Sequence, residues 1–281
     1  MLRSVFVGSV VAGLLAVSVW PAAAAGPNTP FLGDLNGDGR VDRVTLGAVG
    51  LTSTCTVSVQ DGLVGGGFAA AVQHSYVSPR TSGPLPYCPD MGEVVDLGGN
   101  GTPEIVTTGF YWYGATDALL VLRDFAPVAS FNGLSMPSTL RAVDFDGDGR
   151  KDLWSSTDQS SRLRTYTNTA AGTLVPGPFE VCSDASLPQH AFADFDGDGG
   201  QDMLLYRRCG LGVGRAAELY RGGGGPPVVF ATSTTATYEV FVGDFDYNGV
   251  PDVGLITKQS GGAVTVRHFL NDGAAGFTEL P

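Results

Sequence analysis

An acidic nine-residue loop recurs five times along the 281-residue chain. The copies read DLNGDGRVD (Asp34 to Asp42), DLGGNGTPE (Asp96 to Glu104), DFDGDGRKD (Asp144 to Asp152), DFDGDGGQD (Asp194 to Asp202) and DFDYNGVPD (Asp244 to Asp252). Successive copies start 62, 48, 50 and 50 residues apart. A period near 50 residues is the mark of a repeat architecture, in which each repeat is one supersecondary unit stacked on its neighbours.

The loop is built to hold a hard cation. In the first, third, fourth and fifth copies Asp or Asn stands at positions 1, 3 and 5 and Asp at position 9, and position 6 is Gly in all five. Oxygen donors on alternate residues of a tight turn suit Ca²⁺, which takes roughly six to eight oxygens. Side chains at 1, 3, 5 and 9 and the carbonyl at 7 can converge on one ion, and glycine at 6 permits the turn that brings the ends together. Mg²⁺ would keep several waters in a rigid octahedron, so a cage rich in protein oxygens favours Ca²⁺. Zn²⁺ is disfavoured because no His or Cys lies in any loop.

An EF-hand begins in the same way but needs a bidentate Glu at position 12 and a helix behind it. Position 12 here is Thr45, Thr107, Ser155, Leu205 or Leu255, and the segments that follow are short, β-branched and apolar. Each repeat instead reads as a strand, the loop, a second strand such as DMLLYR, a third such as RLRTYTN, and a fainter fourth such as PPVVFATS. Four antiparallel strands per unit make a propeller blade, so the predicted fold is all-β, a β-propeller of five blades. The chain starts on a first strand and ends on a fourth, so each blade is one continuous repeat. The sequence favours a closed ring resting on packing between the first and last blades; an open or dimer-completed ring is the alternative.

This array, from Thr29 to Pro281, resembles the FG-GAP/VCBS repeats of the integrin α-subunit-type β-propeller, whose calcium loop D-x-[DN]-x-[DN]-G-x-x-D joins the first two strands of a blade. The resemblance implies four ligand sets. They are Asp34, Asn36, Asp38, the Arg40 carbonyl and Asp42; Asp144, Asp146, Asp148, the Arg150 carbonyl and Asp152; Asp194, Asp196, Asp198, the Gly200 carbonyl and Asp202; and Asp244, Asp246, Asn248, the Val250 carbonyl and Asp252. The second loop departs from the pattern. Gly98 stands at position 3, leaving a weaker set of Asp96, Asn100, Thr102 and Glu104. Family propellers more often have seven or eight blades, and the FG and GAP signature segments are not cleanly present.

The first 25 residues read as a secretory signal peptide: Arg3, then a mostly apolar run from Val5 to Trp20, then Ala22 to Ala25. The predicted organisation is a signal peptide over 1–25 and a propeller over 26–281, exported and without an integral membrane segment in the mature chain. Four cysteines with no C-x-x-C spacing suit disulfides in an oxidising compartment. Of the three possible pairings, the local one, Cys55 with Cys88 and Cys182 with Cys209, is preferred. The formal charge is −12, and 16 of the 28 acidic residues lie in the five loops, so the acidity belongs to the loops. No basic stripe suggests nucleic acid as a partner.

Activity is less legible. No G-x-S-x-G, H-E-x-x-H or P-loop occurs. The histidines, His74, His190 and His268, are scattered among repeats, and carboxylates outside the loops (Glu93, Asp117, Glu180, Glu218, Glu239) could pair only by tertiary accident. Phe110, Tyr111, Trp112 and Tyr113 follow the second loop, and Tyr111, Trp112 and Tyr113 are candidate ligand-binding aromatics. The expected function is a calcium-stabilised binding module for a glycan or protein ligand. The alternatives are a secreted polysaccharide lyase or hydrolase on the same scaffold, or a structural accessory domain.

Overall fold

The structure is a computed structural model and describes residues 29–80, 87–109, 119–134, 136–157, 162–182, 190–208 and 214–281. Among the described residues every element is a strand, and the strands form five four-stranded antiparallel sheets. Blade 1 is β1 (Phe31–Gly33), β2 (Asp42–Ala48), β3 (Thr54–Gln60) and β4 (Val72–Val77). Blade 2 is β5 (Met91–Val95), β6 (Glu104–Thr108), β7 (Leu119–Arg123) and β8 (Ala126–Phe131). Blade 3 is β9 (Thr139–Val143), β10 (Asp152–Thr157), β11 (Arg162–Asn168) and β12 (Leu174–Cys182). Blade 4 is β13 (His190–Ala193), β14 (Asp202–Arg208), β15 (Arg215–Tyr220) and β16 (Val228–Ser233). Blade 5 is β17 (Thr237–Gly243), β18 (Asp252–Lys258), β19 (Val264–Asn271) and β20 (Phe277–Glu279).

Within each sheet the strands lie in chain order, so each blade is a meander built from one repeat, as the sequence predicts. The acidic loop joins the first and second strands in every blade, and position 9 is always the first residue of the second strand. The second strands of blades 2 and 3 are buried at every position, because each of these blades is sandwiched between neighbours, whereas β2 alternates buried residues with half-buried or exposed ones. The β10 run Asp152–Thr157 is buried at all six positions. Continuous burial explains why these segments show little alternation in sequence.

Four apolar seams hold the blades together. Val44, Val57 and Val59 of blade 1 meet Val94, Ile105 and Leu122 of blade 2. Val106 and Val121 of blade 2 meet Leu153 and Tyr166 of blade 3. Phe145, Trp154 and Phe179 of blade 3 meet Met203, Leu205 and Tyr220 of blade 4. Phe195, Leu204 and Leu219 of blade 4 meet Val253, Leu255 and Phe269 of blade 5. Among the described residues no such cluster joins blade 5 to blade 1. The outer face of blade 1 is mixed: Arg43, Thr45, Ser58, Thr56 and Gln60 register side by side across β2 and β3, and the exposed Leu32 and Val77 stand on the same face, where the matching face of blade 4 carries Met203, Leu205 and Tyr220.

Cys55 and Cys88 form a disulfide with Cα atoms 5.3 Å apart, tying β3 to the segment before β5. Cys182 is also disulfide-bonded; its preferred partner Cys209 lies outside the described residues, as do residues 1–28 with the expected signal peptide.

Trp154 is fully buried in the seam between blades 3 and 4, and its Nε1–H has no hydrogen-bond partner in the structure. Truncation there leaves a large cavity between two sheets. Trp154→Ala should cost about 3–5 kcal/mol, and Trp154→Phe clearly less, since only apolar volume is at stake. Urea unfolding of the three proteins checks this, and equal midpoints for all three would sink it.

Candidate functional site: the five acidic loops

The loops share one hydrogen-bond scheme, which follows from acidic side chains set two residues apart on a turning backbone. The position 1 carboxylate reaches over the turn to the amide of glycine 6: Asp34 accepts from Gly39 at 2.7 Å, Asp96 from Gly101 at 2.7 Å, and Asp144, Asp194 and Asp244 from Gly149, Gly199 and Gly249 at 3.0 Å each. Position 5 accepts from the amide of position 7, as from Arg40 to Asp38 at 2.9 Å and from Gly200 to Asp198 at 2.8 Å. Glycine at position 6 has φ between 79° and 92° in all five loops (Gly39 80°, Gly101 79°, Gly149 84°, Gly199 92°, Gly249 85°), a left-handed turn that a Cβ would disfavour.

Position 9 has a second duty that the loop chemistry alone does not reveal. Its carboxylate is buried and joins three parts of the blade. One oxygen of Asp202 accepts the amide of Phe195, at position 2, at 2.9 Å; the other accepts the amide of Gly222, beyond the third strand, at 2.8 Å. Asp42 binds Leu35 and Gly62 in the same way, Asp152 binds Phe145 and Asn168, and Asp252 binds Phe245 and Asn271. Glu104 keeps the arrangement in the second loop, taking the amide of Leu97 at 3.0 Å and the guanidinium of Arg123 at 3.1 Å. The sequence does hold a signal for this role: position 9 is acidic even where position 3 has become Gly98.

Two asparagines that sequence reading passed over carry the scheme from blade to blade. Asn168, at the end of β11, donates to the Asp96 carbonyl of blade 2 at 3.2 Å. Asn271, at the end of β19, donates to the Phe195 carbonyl of blade 4 at 2.7 Å. Blade 4 has Gly222 at the matching place, where a Cβ would lie 1.6 Å from the Phe145 carbonyl oxygen.

The residues brought together as a cation site are those at positions 1, 3 and 9. In each of the sets Asp144/Asp146/Asp152, Asp194/Asp196/Asp202 and Asp244/Asp246/Asp252, one oxygen per residue lies within 4.8 Å of the others. Three carboxylate oxygens at that spacing, with no nitrogen or sulfur among them, fit a hard divalent ion. The first loop has the neutral Asn36 at position 3 and the second has Gly98. The position 5 carboxylates of Asp38 and Asp148 are instead paired with Arg40 and Arg150. Those two arginines also brace their loops, donating Nε–H to the carbonyls of Gly62 at 2.7 Å and Asn168 at 3.2 Å.

Burial, countered by the amides they accept and reinforced by neighbouring aspartates, raises the carboxyls of Asp152 and Asp202 to about 6. A carboxyl raised in the folded state binds more protons there than in the unfolded chain, so folding favours the acid form.

The other chemistry-bearing side chains are dispersed. Glu180 pairs with Arg164, Glu218 with Arg207, and Glu239 with Lys258, each on a different blade. Glu93 in β5 is raised to about 7 by burial, against the opposing charges of Arg141 and Lys151. His74 stacks on Phe125, His190 meets the edge of Trp154, and His268 packs on Phe245. Asp117 and the aromatic run Phe110 to Tyr113, including the candidate ligand aromatics, lie outside the described residues. An open cleft of about 350 Å³ does lie between blades 1 and 2, lined by Leu35, Asp61, His74, Asp124 and Phe125 among others. One wall is the His74–Phe125 stack, with ring centroids 3.6 Å apart.

Comparison with known proteins bears out the resemblance. Residues 144–205, from the third loop to the start of the fourth blade's second strand, match the FG-GAP-like repeat. No curated protein matches the chain in sequence. Two solved structures are similar in fold. The crystal structure of BBS1N in complex with ARL6DN, soaked with mercury, is 14% identical over 87% of this chain and 69% of that one, with a TM-score of 0.47. The same complex soaked with lead is 14% identical over 90% and 81%, with a TM-score of 0.40.

Two outcomes follow for the loops. In chelator, Asp202→Ala leaves two backbone amides without acceptors and should cost about 2–6 kcal/mol, whereas Asp196→Ala should cost under about 1 kcal/mol; equal losses by thermal unfolding would refute a separate role for position 9. Calcium-free protein should also lose stability as pH rises from about 4 to about 6, the window between the unfolded carboxyl value and the raised one. That slope should flatten in the Asp152→Asn/Asp202→Asn variant, and an identical slope would count against it.

Proposed function

We propose that this chain, whose third and fourth loops carry the FG-GAP-like repeat, is an exported, calcium-stabilised binding module for a glycan or protein ligand. The observation that carries the reading is the repeated convergence of three carboxylates at positions 1, 3 and 9 of successive loops. Positions 5 and 7 complete each set: Asp38 and Arg40, Asp148 and Arg150, Asp198 and Gly200, Asn248 and Val250. The second loop, with Asp96, Asn100, Thr102 and Glu104, is the weak member. Its Glu104 is already committed to Leu97 and Arg123.

When bound, the cation neutralises carboxylates that otherwise repel one another. The chain supplies the rest. Position 1 shapes the loop, position 9 ties it to the second and third strands, and asparagines pass the constraint to the preceding blade. Cation binding is then linked to folding free energy. Export is supported by the signal-like segment 1–25 and by the Cys55–Cys88 disulfide.

A ligand seat needs an apolar platform and a few polar groups. The cleft between blades 1 and 2 offers the His74–Phe125 stack beside Asp61 and Asp124, and Tyr111, Trp112 and Tyr113 are a further candidate set in the sequence. The hydrolase or lyase reading has less behind it, since Glu180, Glu218 and Glu239 are each neutralised by a basic partner. A structural accessory role shares the calcium requirement but not the ligand.

Chelation should lower the melting temperature, and Ca²⁺ should restore it better than Mg²⁺. An unchanged melting temperature after verified removal of metal would defeat the structural-calcium reading. On a glycan array, binding that is lost in His74→Ala would support the cleft. Polysaccharide turnover abolished by substituting a carboxylate outside the loops would favour the enzyme instead.

A further inference from the structure

The second loop departs from the other four at three places that the structure ties together. Position 3 is Gly98, position 9 is glutamate rather than aspartate, and the residue one step beyond the Ile105–Leu122 pair is Arg123. Gly98 has φ 86°, and a Cβ there would come within 3.3 Å of the Gly172 backbone, in the β11–β12 turn of blade 3. Its amide also reaches Asn168 Oδ1 of that blade at 3.3 Å. The loop therefore meets blade 3 with bare backbone, at the position where the third, fourth and fifth loops hold the middle carboxylate of their clusters.

Glu104 is one methylene longer than the aspartates at position 9. Its side chain is fully buried, and one oxygen takes the Leu97 amide at 3.0 Å. The other meets the Arg123 guanidinium, from Nε at 3.1 Å and Nη2 at 2.5 Å. In the other four blades that second oxygen accepts a backbone amide instead, from Gly62, Asn168, Gly222 or Asn271. An amide brings a dipole, whereas the guanidinium brings a full positive charge. Arginine at this register is not sufficient by itself. Arg221 lies one step beyond the Met203–Tyr220 pair of blade 4, and it reaches the Ala275 carbonyl of blade 5, leaving Asp202 to its two amides.

We infer that Arg123 is a built-in counter-ion for the second loop, which takes no calcium and is held in its folded form by the Arg123–Glu104 pair. The inference deepens the calcium reading of the other loops and rests on it. The second loop has two carboxylates, Asp96 and Glu104, where the fourth has four. A hard divalent ion there lacks the position 3 oxygen and must share position 9 with a fixed cation, which repels it. On chelation this loop keeps its charge balance while the other loops lose theirs.

Position 5 is asparagine in both the second and the fifth loop, and each side chain accepts the position 7 amide, Asn100 from Thr102 at 2.8 Å and Asn248 from Val250 at 2.7 Å. In calorimetric titration of the calcium-stripped protein with Ca²⁺, Asn248→Ala should weaken one site about tenfold or more, and Asn100→Ala should leave the titration unchanged. Arg123→Met keeps an aliphatic stem but strips Glu104 of its partner. It should lower the melting temperature by the same amount in chelator and in calcium, each compared with the unmodified protein. A weakened site in Asn100→Ala overturns the inference. So does a loss in Arg123→Met that calcium repairs, or an Arg123→Met protein as stable as the unmodified one. A protein that takes up no calcium, with Arg123→Met still destabilised, defeats the calcium reading of the other loops and leaves the Arg123–Glu104 pair standing.

Discussion

One buried carboxylate per blade underlies the rest of this structure. The acid at position 9 accepts the position 2 amide with one oxygen and a group at the end of the third strand with the other. It therefore sets the loop, the start of the second strand and the reach of the third in a single interaction. A carboxylate is suited to this because it offers two acceptor oxygens and no donor, so backbone amides from both sides satisfy it. Burying it has a cost, visible in the raised Asp152 and Asp202 carboxyls. A cation placed among positions 1, 3 and 9 offsets that cost, so the proposed calcium sites and the blade geometry are one design rather than two.

The blades then communicate through seams and a few polar links. Aromatic and branched side chains fill the spaces between sheets. Asn168 and Asn271 fasten a loop of one blade to the third strand of the next. Where blade 4 has Gly222 instead, the Phe145 carbonyl closes directly on the backbone. Asparagine and glycine are alternative answers to the same need, a filled or a vacated space beside a loop carbonyl.

Much of the fold was legible in the sequence because it rests on local, periodic chemistry. The five loops, the strand order within each blade and the position of the loop between first and second strands all follow from spacing and residue type. The carboxylate clusters at positions 1, 3 and 9 were legible for the same reason, since they lie within nine residues of chain. The partners of position 9 were not. Gly222 is 20 residues from Asp202, and only strand pairing brings them together. The asparagine links span more than 70 residues and cross between blades, so no spacing rule announces them.

The sequence by itself thus determined a five-blade all-β repeat with an acidic loop at a fixed place in each blade, because hydrogen bonding in a turn and the alternation of short strands are decided within a few residues. The tertiary structure alone decided which carboxylates are structural and which side chains pair across blades. Those outcomes depend on what lies opposite a residue in space. For a repeat array, that is set by how neighbouring sheets stack.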